Sequence, residues 1–223
     1  MSFASDVFLS YLLRPEFMWA ALVTLMVAIA AQTIGVILGL VLALFKRSKF
    51  STLRVFAIFY LWLWRGTPPL VQLLILYFGL TQFGIRLTVL QAGLIGLGCY
   101  SAAFMSEIIR AGLDSVSEDQ SEAARSMGFS NLQTIRFVVL PQAVRIIIPP
   151  FSNEFASMMR TTSLLSVISF EELLRVTRMA INETYRVIEL YSVAAVYYLI
   201  LYSAWLLLQV WLEKKASKGM ASM

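Results

Sequence analysis

The sequence contains no histidine and only one cysteine, Cys99. Without imidazole, the chain cannot build histidine-ligated metal sites or the serine–histidine and cysteine–histidine pairs of many hydrolases. Cys99 lies within an apolar stretch, where a free thiol usually behaves as a small hydrophobic group. We therefore expect no catalytic residue and no metal or cofactor site in this chain.

A phosphate-binding motif is also missing, because no G-x-x-x-x-G-K-[ST] stretch occurs in the 223 residues. The chain therefore lacks the loop with which many ATPases hold the phosphates of ATP. If ATP drives its activity, ATP and Mg²⁺ must bind to a separate subunit.

Charged residues are scarce, at 14% of the chain, whereas hydrophobic residues make up 59%. Soluble domains have about 25% charged residues, and a helix that crosses a bilayer needs about 20 mostly apolar residues. The sequence therefore predicts an all-α integral membrane protein with five transmembrane helices. The predicted spans occupy residues 17–45, 55–80, 87–106, 146–170 and 188–212.

Lysine and arginine flank these spans unevenly, which predicts the orientation of the chain. They follow the first and the last span, so both of these ends are expected in the cytoplasm, with residues 1–16 on the periplasmic side and 213–223 as a cytoplasmic tail. Residues 1–16 lack the basic start of a secretory signal, so we expect the first span to remain as an anchor. The flanking cations, which account for the net charge of +5 without a nucleic-acid partner, are Lys46, Arg47, Lys49, Arg54, Lys214, Lys215 and Lys218.

Residues 114–145 form the one long segment between predicted spans, on the cytoplasmic side. A capping-box pattern occurs twice, at 117–120 and at 130–133, and each pattern predicts a helix start. Gly128 can adopt the left-handed backbone that ends a helix, and the second helix would run toward Pro141. The segment is therefore predicted to be a helix, a sharp turn and a second helix.

Seven apolar residues in this segment allow two interpretations. They could fold back onto the cytoplasmic ends of the spans, or they could form a surface that docks a partner, with Glu122 and Arg125 as charges at its rim. The docking interpretation is preferred because small residues let a partner surface approach closely. The seven residues are Ala123, Ala124, Met127, Phe129, Leu132, Ile135 and Val139.

The stretch "EAARSMG" at 122–128, followed nine residues later by "VVLP" at 138–141, resembles the EAA loop of ABC importer permeases, EAA-x3-G-x9-I-x-LP. Val138 stands where isoleucine is usual. The resemblance implies the type I ABC importer permease fold, with this loop as the coupling helix in a cleft of the ATP-binding subunit. Pattern and resemblance together predict the docking residues Glu122, Ala123, Ala124, Arg125, Gly128 and Pro141.

Four further stretches are similar to one branch of that family, the permeases for histidine, glutamine, arginine, glutamate and opines. They are "RGTPPLVQL" (65–73), "SAAFMSEIIRAGLDSV" (101–116), "LPQAVRIIIPPFSNEF" (140–155) and "TSLLSVIS" (162–169). The resemblance implies an inner-membrane importer subunit for a polar amino acid or opine, which is a transport subunit and not an enzyme. It also implies a dimer with the same or a sister permease, two ATP-binding subunits and a periplasmic binding protein. Arg160 and Thr161 depart from the branch, which commonly has lysine and an acidic or polar residue there.

The second span is interrupted by Arg65, Gly66, Thr67 and Pro68. Thr67 is predicted to cap a new helix with Pro68 at its first position, so that a positive helix end and Arg65 lie at membrane depth. A charge there is costly unless it faces protein or water. Arg65 could therefore meet the carboxylate of a substrate, pair with a carboxylate of its own chain, or extend to the cytoplasmic interface.

The fourth span carries a polar stripe. Helical spacing places these residues on one face, which is too wide and too polar to contact lipid. The stripe could line a translocation pathway, or its charges could neutralise those of neighbouring helices. Its residues are Asn153, Glu154, Ser157, Arg160 and Thr161.

Two other features have simpler interpretations. Close helix packing is predicted by glycines in the first and third spans, which are Gly35, Gly39, Gly93, Gly96 and Gly98. The mixed charges of 171–189 are expected to form a solvated face or to receive the binding protein.

As an alternative function, the buried charges alone would suit an ion-coupled secondary carrier, although such a carrier has no use for a docking segment.

Overall fold

The computed structural model describes residues 3–217, which form helices and no strand. Lys218, and with it part of the predicted tail, lies outside the described residues. The α-helices are α1 (Ser5–Leu12), α2 (Pro15–Lys46), α3 (Ser51–Gly66), α4 (Pro69–Leu74), α5 (Val89–Asp114), α6 (Glu118–Ser126), α7 (Asn131–Thr134), α8 (Leu140–Thr161), α9 (Leu173–Thr184) and α10 (Val187–Ser217).

Short turns of other helix types extend three of these helices. A π-turn at Ile75–Gly79 and a 3-10 turn at Leu80–Phe83 continue α4. A second π-turn, Ile135–Val139, joins α7 to α8, and a 3-10 turn, Thr162–Ile168, continues α8. Residues 131–168 therefore form one continuous helical rod, which we call the coupling rod.

Within the described residues, four helical stretches are long and apolar enough to cross a membrane. They are Pro15–Lys46, Val89–Asp114, Asn131–Ile168 and Val187–Lys215. The remaining predicted span, 55–80, is two shorter helices, because Thr67 and Pro68 are extended between α3 and α4. It also begins earlier than predicted, at Ser51.

Contacts between α2 and α5 show that these helices run in the same direction. Position 98 of α5 meets Ile34, position 105 meets Gly39, and Asp114 pairs with Arg47 at 2.9 Å. The contacting positions thus rise together along both helices. Because α5 begins where α3 and α4 end, these two helices must cross the bundle in the opposite direction.

The coupling rod is antiparallel to α5 and to α10. Gly112 lies against Ile147 near one end of the rod, whereas Gly93 lies against Leu165 near the other. Trp205 of α10 donates from Nε1 to the carbonyl oxygen of Ser152 at 2.9 Å. The chain therefore crosses five times in alternating directions, which confirms the predicted fold class.

The prediction that the second coupling helix ends near Pro141 is wrong. Pro141 occupies the second position of α8, directly after the π-turn, and the helix continues to Thr161. A π-turn shifts the hydrogen-bond register by one residue, so the helix accommodates the missing amide hydrogen without ending. For the same reason, the boundary placed at residue 146 between coupling loop and span does not exist as a break in the helix.

The close contact of α2 and α5 depends on glycine, as predicted. A Cβ atom added to Gly39 would lie 2.7 Å from Cβ of Met105 and 3.0 Å from the backbone nitrogen of Ser106. Gly98 is similarly close to Ile34. Where the lipid is as apolar as the helices, such close packing supplies much of the attraction between them.

Ion pairs join α2 to α5 at the end of the bundle where the coupling rod begins. Arg110 pairs with Glu107 at 2.9 Å and with Asp114 at 2.8 Å. Lys46 contacts Glu107, and Arg47 contacts Asp114. Two carboxylates thus bind three cations, and the α2–α5 pair is fixed at this end.

At the opposite end, the connection 171–189 is less solvated than predicted. Glu172 is fully buried, where it accepts hydrogen bonds from the Arg175 amide (2.8 Å) and the Tyr198 hydroxyl (3.1 Å). Burial raises the pKa of the Glu172 carboxyl above its ordinary value, against the opposing effect of these bonds. Glu189 is also buried and accepts from the amide of Ala4 at 3.0 Å. These two carboxylates attach the connection to the bundle.

We predict that Gly39→Ala destabilises the protein by about 1–3 kcal/mol, because the new methyl group overlaps the backbone of α5. Thermal unfolding of the purified protein in detergent, followed by tryptophan fluorescence, measures this effect. Gly79→Ala is the matched control, since its Cβ would have no neighbour closer than 3.6 Å. Equal unfolding temperatures for the two variants would contradict the packing account.

Candidate functional site

The break between α3 and α4 is the first part of the candidate site. The prediction that Thr67 caps the second helix is wrong, because Pro68 occupies the cap position and α4 begins at Pro69. The Thr67 hydroxyl instead donates to the carbonyl oxygen of Leu63 at 2.9 Å. Two successive prolines each hold the preceding residue in extended backbone, and this moves the helix start by one residue.

Gln72 satisfies the carbonyl groups that the break leaves open. Its Nε2 donates to the carbonyl oxygen of Trp64 (2.9 Å) and to both the carbonyl oxygen (3.2 Å) and the hydroxyl (2.7 Å) of Thr67. Backbone polar groups at membrane depth need such partners, since no water replaces them. Gln72 was not among the predicted residues, although an amide side chain one turn after a proline break is a usable signal.

The half-helix start provides less positive charge than predicted. Pro69 has no amide hydrogen, and the amides of Val71 (3.0 Å) and Gln72 (3.2 Å) both donate to the Pro68 carbonyl. In this turn only the Leu70 amide is left to face an anion. The positive charge at the break therefore comes mainly from Arg65.

Arg65 lies over the ring of Phe104, with 5.4 Å between Cζ and the ring centroid. It forms no ion pair with any residue between 3 and 217, so the interpretation in which its own chain neutralises it is not observed. Arg65 and Gly66 line a cavity of about 490 Å³ together with Lys46, Trp62 and Phe104. The lining of this cavity carries two positive charges and no carboxylate.

Glu154 lies on the same side of α5 as Arg65. Its carboxylate is within electrostatic range of Tyr100, and the rings of Tyr100 and Phe104 are 4.9 Å apart. Arg65 contacts Phe104, so the cation and the carboxylate lie near successive turns of α5. Within residues 3–217, Glu154 forms no ion pair either.

The polar stripe of α8 lies outside the packed interior of this chain. Asn153 and Arg160 are exposed, and Glu154, Ser157 and Thr161 are partly exposed. The buried face of the same helix consists instead of Ser152, Phe155, Ala156, Met158 and Met159. A single chain therefore leaves a charged and polar helix face uncovered at membrane depth.

Two members of the stripe have partners within the chain. Arg160 lies over the ring of Tyr202 on α10, with 5.8 Å from Cζ to the centroid. The Thr161 hydroxyl donates to the carbonyl oxygen of Ser157 at 2.9 Å. The stripe is therefore flanked by α5 on one side and by α10 on the other.

The predicted docking segment is a helix, a turn and the start of the coupling rod. Gly128 has φ +89°, the left-handed conformation expected at the turn. Ser130 and Gln133 form the predicted capping box. Ser117 caps α6, but the predicted box with Gln120 is wrong, because the Gln120 side chain bonds to Gln142 instead.

Most apolar residues of the segment do not fold back onto the spans. Met127 is 78% exposed and Leu132 is 74% exposed. Ala123 is exposed with Glu122 and Arg125, whereas Ala124 is buried in its own chain. Pro141 is exposed at the rod. Ala123 therefore remains accessible to a partner, as the docking interpretation requires, whereas Ala124 packs α6 against its own chain.

Side-chain bonds connect α6 to the coupling rod. Gln142 donates from Nε2 to the side-chain oxygen of Gln120 and to the carbonyl oxygen of Val138 (2.9 Å). Beneath α6, Arg125 and Arg47 line a cavity of about 570 Å³ between α2 and the start of the rod. A force on α6 therefore acts directly on the helix that carries the polar stripe.

Comparisons with known proteins agree with this arrangement. Residues 35–218 match the family described as "Binding-protein-dependent transport system inner membrane component". The chain is 35% identical to the probable glutamine ABC transporter permease protein GlnM of Bacillus subtilis, covering 88% of this chain and 91% of that protein. It is 36% identical to the octopine transport system permease protein OccM of Rhizobium radiobacter, covering 84% and 83%.

Solved structures show the same fold. A crystal structure of an amino acid ABC transporter with histidines superposes with a TM-score of 0.88 at 37% identity, covering 96% of this chain and all of that one. The inward-facing MetNI methionine ABC transporter superposes with a TM-score of 0.74 at 16% identity, covering 92% and all of the respective chains. The second likeness concerns the fold alone.

Proposed function

Because the chain belongs to the family of binding-protein-dependent transport system inner membrane components, we infer that it is the permease subunit of an ATP-driven importer for a polar amino acid or opine. Its relatives include permeases named for glutamine, arginine and octopine transport. The exposed docking segment supports this function over an ion-coupled carrier, which would have no partner to dock there. Hydrolysis of ATP then belongs to a separate subunit that holds ATP and Mg²⁺.

The uncovered polar stripe of α8 is the observation that supports a pathway between two subunits. A face with Asn153, Glu154 and Arg160 cannot contact lipid without a large cost. We propose that a second permease subunit, the same chain or a sister chain, covers this face and encloses an aqueous pathway. The stripe and the cavity at Arg65 would then lie on the inner surface of the dimer.

The proposed substrate contacts follow from charge. The Arg65 guanidinium is free of intrachain carboxylates among residues 3–217, and its planar fork suits a substrate carboxylate. Glu154 and Asn153 would meet an ammonium group or a polar side chain of the substrate. Ser157, Arg160 and Thr161 extend this lining along α8, and Gly66, Thr67 and Pro68 keep the break open beside it.

The proposed orientation places the docking segment in the cytoplasm. The ATP-binding subunit would receive α6 through Glu122, Ala123 and Arg125, with Gly128 at the corner. The connection 171–189 at the opposite end would then face the periplasm. A periplasmic binding protein that delivers the amino acid would contact this connection.

We predict that Gly128→Val uncouples ATP hydrolysis from transport, because a β-branched residue is strained at positive φ. The measurement is uptake of labelled amino acid by proteoliposomes, with ATPase activity recorded in parallel. Gly84→Val is the matched control, since Gly84 has φ +78° and open space around it but lies in the turn before α5. Normal coupled uptake by the Gly128 variant, with its ATPase subunit bound, would exclude the docking role.

A second prediction concerns Arg65 and Glu154. Arg65→Ala should nearly abolish uptake, and Arg65→Lys should reduce it, because lysine offers a point charge in place of a two-bond fork. Glu154→Gln should also reduce uptake. Since the two groups form no pair in this chain, the double variant should transport no better than either single variant.

Uptake and membrane abundance of the two single variants and the double variant decide between binding and structural roles. If Arg65 and Glu154 paired with each other structurally, the single variants would lose abundance and the double variant would regain it. Full transport by the double variant would overturn the assignment of Arg65 to the substrate.

A further inference from the structure

A second cationic cavity lies between the coupling rod and the end of α10. Its volume is about 410 Å³. Three of its lining residues are basic, none is acidic, and the others are apolar. The lining residues are Arg136, Leu140, Pro141, Val144, Arg145, Ile148, Leu212 and Lys215.

The charges of this cavity are uncompensated within residues 3–217, unlike those of three cations at the ends of α2 and α5. Lys46, Arg47 and Arg110 each pair with a carboxylate. Arg136, Arg145 and Lys215 form no ion pair within residues 3–217. Three cations that face one space repel each other, so an anion in that space is favoured.

The surroundings of the cavity fit a lipid better than a soluble anion. Leu140, Val144 and Ile148 recur every four residues and form an apolar strip along the rod, opposite Leu212. Lys215 lies 5.0 Å from the ring of Trp211, which is 54% exposed. Tryptophan beside a basic residue at the end of a membrane helix is typical of the headgroup region.

We propose that this cavity binds one anionic phospholipid, with its phosphate between Arg136, Arg145 and Lys215 and an acyl chain along the apolar strip. Basic pockets between membrane helices on the cytoplasmic side are suited to such headgroups. Pro141 belongs to both the cavity and the docking segment, so the lipid holds the coupling rod against α10. The bound lipid thereby stabilises the junction through which the docking segment acts, whichever substrate is carried.

The test uses the importer assembled with its ATP-binding subunit, in nanodiscs of phosphatidylcholine with increasing phosphatidylglycerol. Native mass spectrometry counts the phosphatidylglycerol molecules that the complex retains. The double variant Arg145→Gln, Lys215→Gln should bind this lipid about thirtyfold more weakly, given the attraction of each basic residue for an anionic surface. The control Lys49→Gln, Arg54→Gln removes the same charge from exposed positions outside the cavity and should retain binding.

A second variant separates lipid binding from a loss of folding. Val144→Trp keeps all three cations but fills the apolar strip, so it should also lose the retained lipid, while the thermal stability in pure phosphatidylcholine stays as in the parent. Equal loss in the cavity and control variants would mean general surface attraction and would overturn the proposal. Displacement of the lipid by millimolar inorganic phosphate, or unchanged retention in Val144→Trp, would identify a free-anion site and would also overturn it.

Discussion

The parallel contact of α2 and α5 determines much of the remaining architecture. Two helices that run in the same direction through a membrane require a return crossing between them, and residues 51–83 provide it. The contact is close because Gly39 and Gly98 bring backbones and side chains together without a Cβ atom between them. Ion pairs from Lys46 and Arg47 to the end of α5 fix the register of the pair. The pair therefore forms a frame against which the other helices pack.

Satisfaction of backbone polar groups explains why the return crossing tolerates a break, whereas the coupling rod is continuous. At the break, Gln72 binds the exposed carbonyl groups of Trp64 and Thr67, so the extended residues are tolerated. In the rod, Pro141, Pro149 and Pro150 remain within helical structure, and a π-turn precedes the first of them. The rod thus carries the docking segment at one end and the polar stripe along its length. The break places Arg65 beside Phe104 of α5, and the stripe's Glu154 lies near Tyr100, one turn earlier on α5.

Apolar run length, glycine spacing and turn chemistry allowed five crossings, the close α2–α5 contact and the Gly128 corner to be predicted from the sequence. Three features could not be predicted. The continuity of the rod through Pro141 depends on a π-turn, which has no reliable sequence signal. The burial of Glu172 depends on Tyr198, which lies on another helix. The Arg65 cavity depends on Lys46 and Phe104, which lie far from Arg65 in the sequence.

The central claim is that the coupling rod, which begins within the docking segment and carries the polar stripe, moves as one rigid helix relative to the α2–α5 frame. Distances between spin labels measure this directly in a Cys99→Ala background, with labels at the exposed positions Leu132 and Val167 of the rod, about 50 Å apart at 1.5 Å per residue. A second pair, Leu132 and Ile37, reports the rod against the frame. The account predicts that ATP binding to the partner subunit changes the second distance and leaves the first unchanged. A change in the Leu132–Val167 distance, with Leu132–Ile37 constant, would show that the rod bends at its π-turn or its prolines and would contradict the account.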